Sequence, residues 1–217
     1  MERTFKKTMA LEVLVGLIYI ILELYLDDII VFADSEEQFF DRLEKVYIRL
    51  ESKRITLNPK KCEFGLSSIE FVGHMIDATG ITFSKEKIQE VVTFRTPKNQ
   101  KDLKSFLGLG DYFRDHILNY SELAHPLNQL CNPYHPKLII PWSPESLAHL
   151  ATLKKAINDC PKLFFGDDTS KVYIHTDASD YAIGGYLFQI RSDGIEYPIA
   201  FMSKALIREQ LKWSTPE

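Results

Sequence analysis

Apolar positions in the first part of the chain form two short blocks rich in β-branched and aromatic residues, at 19–26 and 29–33. Asp27 and Asp28 separate the blocks. Runs of this composition on either side of two polar residues are typical of a β-hairpin. The pattern therefore predicts two strands joined by a tight acidic turn, with both carboxylates at its tip.

A helix is predicted directly after this hairpin. Ser35 is followed by Gln38 three positions later, the spacing of a capping box. Five apolar residues at helical spacing form the face that would cover a sheet: Phe39, Leu43, Val46, Tyr47 and Leu50. Short strand-like segments follow at 55–57, 63–65 and 69–76, and a turn at 77–80 leads to another at 81–83.

The middle of the chain has helical periodicity. Apolar residues at helical spacing follow Ser84, and a second set follows a break at Thr96 and Pro97. A further helix is predicted from a cap at Ser121 through Leu130. Residues 132–144 contain four prolines and are predicted to be a linker.

After the linker, a helix is predicted from Ser143 to residue 160, and then the period changes to two. Segments 172–176, 182–190 and 195–202 are predicted to be three antiparallel strands. The fold class is α+β. We place boundaries between 1–83, a helical part at 84–131, a linker with one helix at 132–168, and a sheet at 169–217.

Composition and charge narrow the classes of protein. The net charge of −4 gives no global attraction to a polyanion, so nucleic-acid contacts would need local basic patches. Cys62, Cys131 and Cys160 lack paired spacing, which argues against a disulfide framework. Cys131 and His135 could be half of a zinc site, but no second pair lies nearby. The apolar run at 13–22 is too short to span a membrane.

The acidic turn carries candidate chemistry. Adjacent carboxylates at a hairpin tip can hold divalent cations, and hard oxygen ligands suit the two magnesium ions of phosphoryl transfer. Asp is also an ordinary turn residue, so the residues alone leave a purely structural role open.

The order of motifs decides between these readings. The sequence from Tyr25 to Phe32 resembles the catalytic hairpin of reverse transcriptases, and Phe71, Val72, Gly73 and His74 resemble their primer grip. Further matches resemble the thumb of gypsy-class long-terminal-repeat retrotransposons; they are Leu103-Lys104-Ser105-Phe106-Leu107-Gly108-Leu109 and Tyr112-Phe113-Arg114. The resemblance implies a piece of a Pol polyprotein, with part of a palm, a thumb and a linker helix.

The last third resembles the opening of the ribonuclease H domain of the same family. The resemblance is carried by Thr176-Asp177-Ala178-Ser179, Gly184-Gly185 and Pro198-Ile199-Ala200. It implies that Asp177 is the first metal-binding carboxylate of the nuclease. It also implies an incomplete antiparallel sheet with one apolar face uncovered, and that Glu217 precedes the second catalytic glutamate and is not itself catalytic.

The resemblance assigns further roles and partners. Asp27 and Asp28 would hold Mg²⁺ for a two-metal polymerase reaction, and Tyr25, Lys98, Lys101 and Lys104 would contact nucleic acid. A solvated helix face explains the lysines equally well. The implied partners are an RNA/DNA template-primer, an RNA–DNA hybrid and the rest of the polyprotein, without a membrane. The expected location is intracellular, in cytoplasm, virus-like particle or nucleus.

Two parts of the family pattern lie outside this sequence. The resemblance implies a third palm aspartate and a fingers domain upstream of Tyr25, so we expect a sequence truncated at both ends whose activity alone is absent or very weak. An alternative is a degenerate or domesticated, non-enzymatic module that binds nucleic acid or protein. A third reading, an unrelated metal-dependent hydrolase, requires Asp27 and Asp177 to meet in space.

Overall fold

The structure is a computed structural model that describes residues 8–26, 28–131, 135, 137–207, 209 and 210. Contacts divide the chain into two compact units, Met1–Ser67 and Ser68–Glu217, and each is described by itself. Helices and antiparallel sheets are mixed, which confirms the predicted α+β class. Within the described ranges, no helix has the length and apolarity needed to cross a bilayer. The three predicted domain boundaries stay a prediction.

The first unit contains the predicted hairpin, formed by β1 (Leu22–Tyr25) and β2 (Asp28–Val31). Tyr25 pairs with Asp28, so the two strands pair up to these residues at the hairpin tip. Asp28 was predicted to lie in the turn and is instead the first residue of β2. Strand β1 is also shorter than the predicted segment, because residues 19–21 are in turns.

Helix α1 (Glu36–Ser52) follows, as predicted. The Ser35 side chain accepts a hydrogen bond from the Gln38 backbone N–H, while the Gln38 side chain accepts one from Asp34. The helix packs in a small core, whose buried members are Met9, Val13, Leu14, Ile21, Leu22, Val46 and Leu50. Tyr47 is 40% exposed, so its predicted place on the buried face is wrong.

The predicted strands at 55–57 and 63–65 are wrong. These residues are irregular and flank a short 3₁₀ helix, Pro59–Lys61. The Asn58 side chain accepts a hydrogen bond from Lys60, which stabilises this turn locally. Pro59 has no backbone N–H to donate, which also disfavours a strand here.

The second unit begins with an antiparallel sheet in the order β3 (Ser68–Phe71), β4 (His74–Asp77), β5 (Gly80–Phe83) and β6 (Leu163–Phe164). The segment predicted as one strand at 69–76 is instead a hairpin that turns at Val72 and Gly73. The sequence analysis missed β6, which has only two residues and whose partner lies about eighty positions away.

Four helices pack against one another in this unit: α2 (Lys85–Val92), α3 (Gln100–Asp111), α4 (Tyr120–Gln129) and α5 (Pro144–Asn158). Their shared core includes Phe106, Phe113 and Leu153, all fully buried. Ser143 and Ser146 form a capping box at the start of α5. The predicted cap at Ser121 is wrong, because Asn119 precedes the helix and the Ser121 N–H binds elsewhere.

The three predicted strands of the last third are confirmed as β7 (Val172–Ala178), β8 (Ala182–Ile190) and β9 (Glu196–Ala205). They form one antiparallel sheet in chain order. Ile174 and Met202 lie on the same face and are 66% and 51% exposed. In the described residues this face is largely uncovered, as expected from the sequence.

Candidate functional site

The tip of the β1–β2 hairpin exposes an acidic side chain to solvent. Asp28 and its pairing partner Tyr25 are both exposed, and Leu26 between them has a positive φ of 56°. This left-handed conformation is unfavourable for a residue with a branched side chain. Asp27, the other predicted catalytic carboxylate, lies outside the described residues. The structure therefore places one predicted carboxylate at the hairpin tip.

The metal-binding potential of the described residues is partial. Asp28 and Asp177 offer the hard carboxylate oxygens that magnesium prefers. Within the part of the chain that the structure describes, however, no three His, Cys, Asp or Glu side chains are close enough to hold a metal ion. Carboxylate oxygens are thus suitable ligands for a divalent cation, but the described residues bring too few of them together. Among the described residues, the possible zinc ligands Cys131 and His135 also have no third ligand nearby.

A second hairpin tip contains all four residues that resemble a primer grip. Phe71 pairs with His74, and Val72 and Gly73 form the turn with φ values of 51° and 72°. Tyr112 directly follows helix α3, and its hydroxyl donates a hydrogen bond to the Val72 carbonyl. Nδ1 of His74 lies 3.1 Å from the same carbonyl oxygen. The fold therefore joins two motifs that are 40 positions apart.

A cluster of aromatic rings packs against this tip. The ring of Phe83 lies 4.7 Å from that of His74, 4.3 Å from that of Phe113 and 4.4 Å from that of His116, measured between centroids. The His116 Nδ1 lies 3.1 Å from the Pro161 carbonyl oxygen. Burial lowers the pKa of both His74 and His116, against smaller opposing effects from hydrogen bonds and Asp115. The neutral form of both rings is therefore favoured.

Asp177, the predicted nuclease carboxylate, lies near the end of β7 and is exposed. Its Oδ1 accepts a hydrogen bond from the Ala178 backbone N–H at 2.9 Å. Asp177 pairs with Gly184, and a Cβ at Gly184 would lie only 2.3 Å from Oδ1 of Asn119. The glycine is needed because the start of α4 approaches the sheet this closely. Glu122 of α4 lines the same small cavity as Asp177.

Polar contacts hold the sheet to the helices at this point, and the sequence analysis did not predict them. The buried Ser203 hydroxyl accepts a hydrogen bond from the Ser121 backbone N–H at 2.8 Å. Arg114 donates to the Ser203 carbonyl at 2.9 Å. The Tyr181 hydroxyl lies 3.1 Å from a carboxylate oxygen of Glu122. No local signal could reveal these pairs, because they join residues at least 59 positions apart.

The three predicted phosphate-contacting lysines, Lys98, Lys101 and Lys104, are all exposed. Lys101 and Lys104 lie one turn apart on α3, whose other face buries Leu103 and Phe106. This placement suits contact with a polyanion and equally suits a solvated helix face. Their contact with nucleic acid stays a prediction, as do the roles of the other site residues.

Comparisons with protein families match both ends of the chain. Residues 3–76 match the family described as reverse transcriptase (RNA-dependent DNA polymerase). Residues 142–217 match the family described as an RNase H-like domain found in reverse transcriptase. The two matches occur in the predicted order and confirm the predicted reverse-transcriptase and ribonuclease H character.

Relatives and solved structures agree with these matches. The Tf2-3 transposon polyprotein of Schizosaccharomyces pombe is 33% identical over 193 residues, which is 89% of this chain and 14% of that polyprotein. The Tf2-7 polyprotein of the same yeast is 32% identical over the same shares. The chain thus spans about one-seventh of the curated relatives it matches.

Two solved structures resemble the chain in fold. A foamy viral protease-reverse transcriptase in complex with RNA/DNA hybrid is 26% identical, with a TM-score of 0.69 over 89% of this chain and 26% of that one. The same viral enzyme in complex with dsDNA has a TM-score of 0.75 at 24% identity, over 98% of this chain and 43% of that one. Their architecture agrees with the predicted fold class.

Proposed function

The chain joins reverse-transcriptase sequence to an RNase H-like domain, as in a transposon polyprotein, and on this premise we propose that it serves RNA-directed DNA synthesis in a gypsy-class retrotransposon. The observation that carries the proposal is the β1–β2 hairpin. Its acidic tip lies within the segment that matches the polymerase family, and Asp28 is exposed there.

The acidic tip is assigned to metal binding. Asp27 and Asp28 would hold Mg²⁺, which when bound supplies charge stabilisation for phosphoryl transfer. Tyr25, exposed and paired with Asp28, is placed to contact the nucleic acid near the reacting end. The described residues supply too few ligands for two metals, so we expect the chain alone to be inactive or very weak.

Nucleic-acid binding is assigned to the second unit. The tip at Phe71, Val72, Gly73 and His74 would contact the primer, and the exposed lysines 98, 101 and 104 would contact phosphates. The foamy viral enzyme was solved with RNA/DNA hybrid and with dsDNA, which supports a duplex as the ligand. Asp177 would provide one metal-binding carboxylate for cleavage of the RNA strand of a hybrid.

The remaining assignments follow the relatives. The partner of this chain would be the rest of a Pol polyprotein, since the matching transposon proteins are polyproteins. We propose an intracellular location, in cytoplasm, a virus-like particle or the nucleus. The hydrolase alternative needs Asp27 and Asp177 to meet; Asp27 is outside the described residues, and that alternative stays a prediction.

A titration of duplex binding tests the proposal. A fluorescent RNA/DNA primer-template is titrated with the chain between 50 and 200 mM salt, and affinity should fall steeply as counterions are released. The double substitution of Lys101 and Lys104 by alanine should reduce the salt slope by about 2, roughly 1 per phosphate contact. Substituting the exposed Lys155 and Lys171 instead is the matched control. Binding that is absent, or independent of salt, would contradict the proposal.

Primer extension tests the expected inactivity of the chain alone. With Mg²⁺ and deoxynucleotides, the wild-type chain should add no nucleotide or only traces to the primer. Incorporation that depends on magnesium and is abolished by Asp27→Asn or Asp28→Asn would prove this expectation wrong. Loss of incorporation in each variant would establish the replaced carboxylate as a catalytic residue.

A further inference from the structure

We propose that Tyr112 is a positioning residue for the primer end, acting by holding the β3–β4 turn in one conformation. The inference rests on the proposed function, because it takes this turn to be the primer grip. The sequence resemblance placed Tyr112 in a thumb motif and gave it no role of its own. The geometry gives it one, since its hydroxyl reaches the turn.

The contact is specific to the turn. The Tyr112 hydroxyl donates to the Val72 carbonyl and lies 3.3 Å from Nδ1 of His74. A Cβ built on Gly73 would lie 2.6 Å from the same hydroxyl oxygen. The hydroxyl thus touches the turn at three consecutive residues. Any other residue at position 73 would displace either the turn or the tyrosine.

The turn needs an external partner because its own conformation is costly. Val72 has a φ of 51°, and a β-branched residue is a rare occupant of this left-handed region. Turns of two residues with positive φ at both positions usually contain Asn, Asp or Gly at the first position. The valine side chain can form no hydrogen bond that would offset this strain. The hydroxyl of Tyr112 provides one from outside the hairpin.

The rest of Tyr112 is anchored independently of the turn. Its ring centroid lies 5.5 Å from that of Phe83 and 5.8 Å from that of Phe113, both buried core residues. The Lys87 Nζ lies 5.6 Å from the ring centroid. Removing the hydroxyl alone should therefore leave the ring and the core in place. A Tyr112→Phe variant separates positioning of the turn from stability of the fold.

Photochemical cross-linking tests the role. A primer-template is prepared whose terminal primer base carries a photoreactive thiocarbonyl, and the cross-linked peptide of the full chain is identified by mass spectrometry. In the wild-type chain, the cross-link should fall on residues 68–77. In Tyr112→Phe, its yield should drop roughly three- to tenfold, the effect of losing one hydrogen bond. The duplex Kd should stay within about twofold, because the phosphate contacts that dominate affinity remain.

Two further measurements make the outcome decisive. Tyr173→Phe, at a tyrosine on strand β7, is the matched control and should leave the cross-link unchanged. Hydrogen exchange of the backbone amides at 71–74 should accelerate in Tyr112→Phe, while the thermal midpoint should fall by no more than about 4 °C, the cost of one hydrogen bond in a chain of this size. If the wild-type chain binds duplex and Tyr112→Phe leaves both cross-linking and exchange unchanged, the role of Tyr112 alone is overturned. A wild-type chain that binds no duplex would overturn the proposed function and, with it, the primer role.

Discussion

Two β-hairpins of this chain have the same turn length but opposite surroundings. The last paired residues are Tyr25 and Asp28 in β1–β2, and Phe71 and His74 in β3–β4. Both place a large aliphatic residue in the left-handed region, Leu26 at φ 56° and Val72 at φ 51°. At the first tip, the flanking Tyr25 and Asp28 are exposed. At the second, Phe71 and His74 are half-buried and Tyr112 binds the turn.

The difference shows that one local geometry can serve two purposes. Its exposed position leaves the Asp28 carboxylate accessible to a cation and a substrate from solvent. A tip bound by the Tyr112 hydroxyl and packed against aromatic rings has a fixed position, which suits a surface that must align a ligand. The local backbone does not distinguish the two tips; the neighbouring residues do.

The largest effect is expected from removing the support of the second tip. Phe83→Ala deletes a ring that is 4% exposed and contacts His74, Tyr112, Phe113 and His116. Loss of this buried ring should lower the free energy of unfolding by about 3–5 kcal/mol. Urea unfolding followed by circular dichroism measures the change. Phe165→Ala, at a 45% exposed ring, should cost far less, and equal costs would contradict the assignment.

The next effect concerns the glycine of the second tip. Gly73→Ala should destabilise by about 2–3 kcal/mol, because the φ of 72° is strained for alanine and the methyl group meets Tyr112. Gly194→Ala is the control, since its φ of 75° is similar but nothing lies within 4 Å of its Cβ position. It should cost only the backbone strain, about 1–2 kcal/mol. Thermal unfolding of both variants measures the difference. Identical midpoints would show that the contact with Tyr112 adds nothing to the cost of Gly73→Ala.

A smaller and opposite effect is expected at the first tip. Leu26→Asn should stabilise the chain by about 0.5–1 kcal/mol, because asparagine tolerates the left-handed region better than leucine. Leu26→Ala keeps the strain of a Cβ and removes the rest of the side chain, so it is the matched variant. Urea unfolding distinguishes them. If asparagine gives no more stability than alanine, the φ of 56° carries no strain at this turn.

The smallest effect is a pH dependence confined to the second tip. Burial lowers the pKa of His74 and His116 from the ordinary value of 6.5, so the unfolded chain binds protons more readily than the folded one. Their contribution to stability is complete above pH 6.5 and declines as the pH falls below that value. Thermal midpoints recorded at several pH values should fall less steeply in His116→Gln. An unchanged slope in His116→Gln would contradict this assignment.

Several sequence predictions were right because their signals are local. Helices α1, α2 and α5 begin after Ser35, Ser84 and Ser143, where a short side chain binds a backbone N–H three residues ahead. The period-two pattern at 172–202 gave three strands in the predicted order. The wrong predictions were also locally plausible: residues 55–57 have strand composition, but the described residues offer them no pairing partner.

The sequence by itself determined the order of the elements, the acidic tip and the resemblance to reverse transcriptase and ribonuclease H. Each depends on residues close together in the chain. Only the tertiary structure decided that Tyr112 binds the Val72 carbonyl, 40 positions away, and that Ser203 binds Ser121, 82 positions away. Such pairs form because a shared core brings distant segments together, and no spacing along the chain encodes where two packed surfaces will meet.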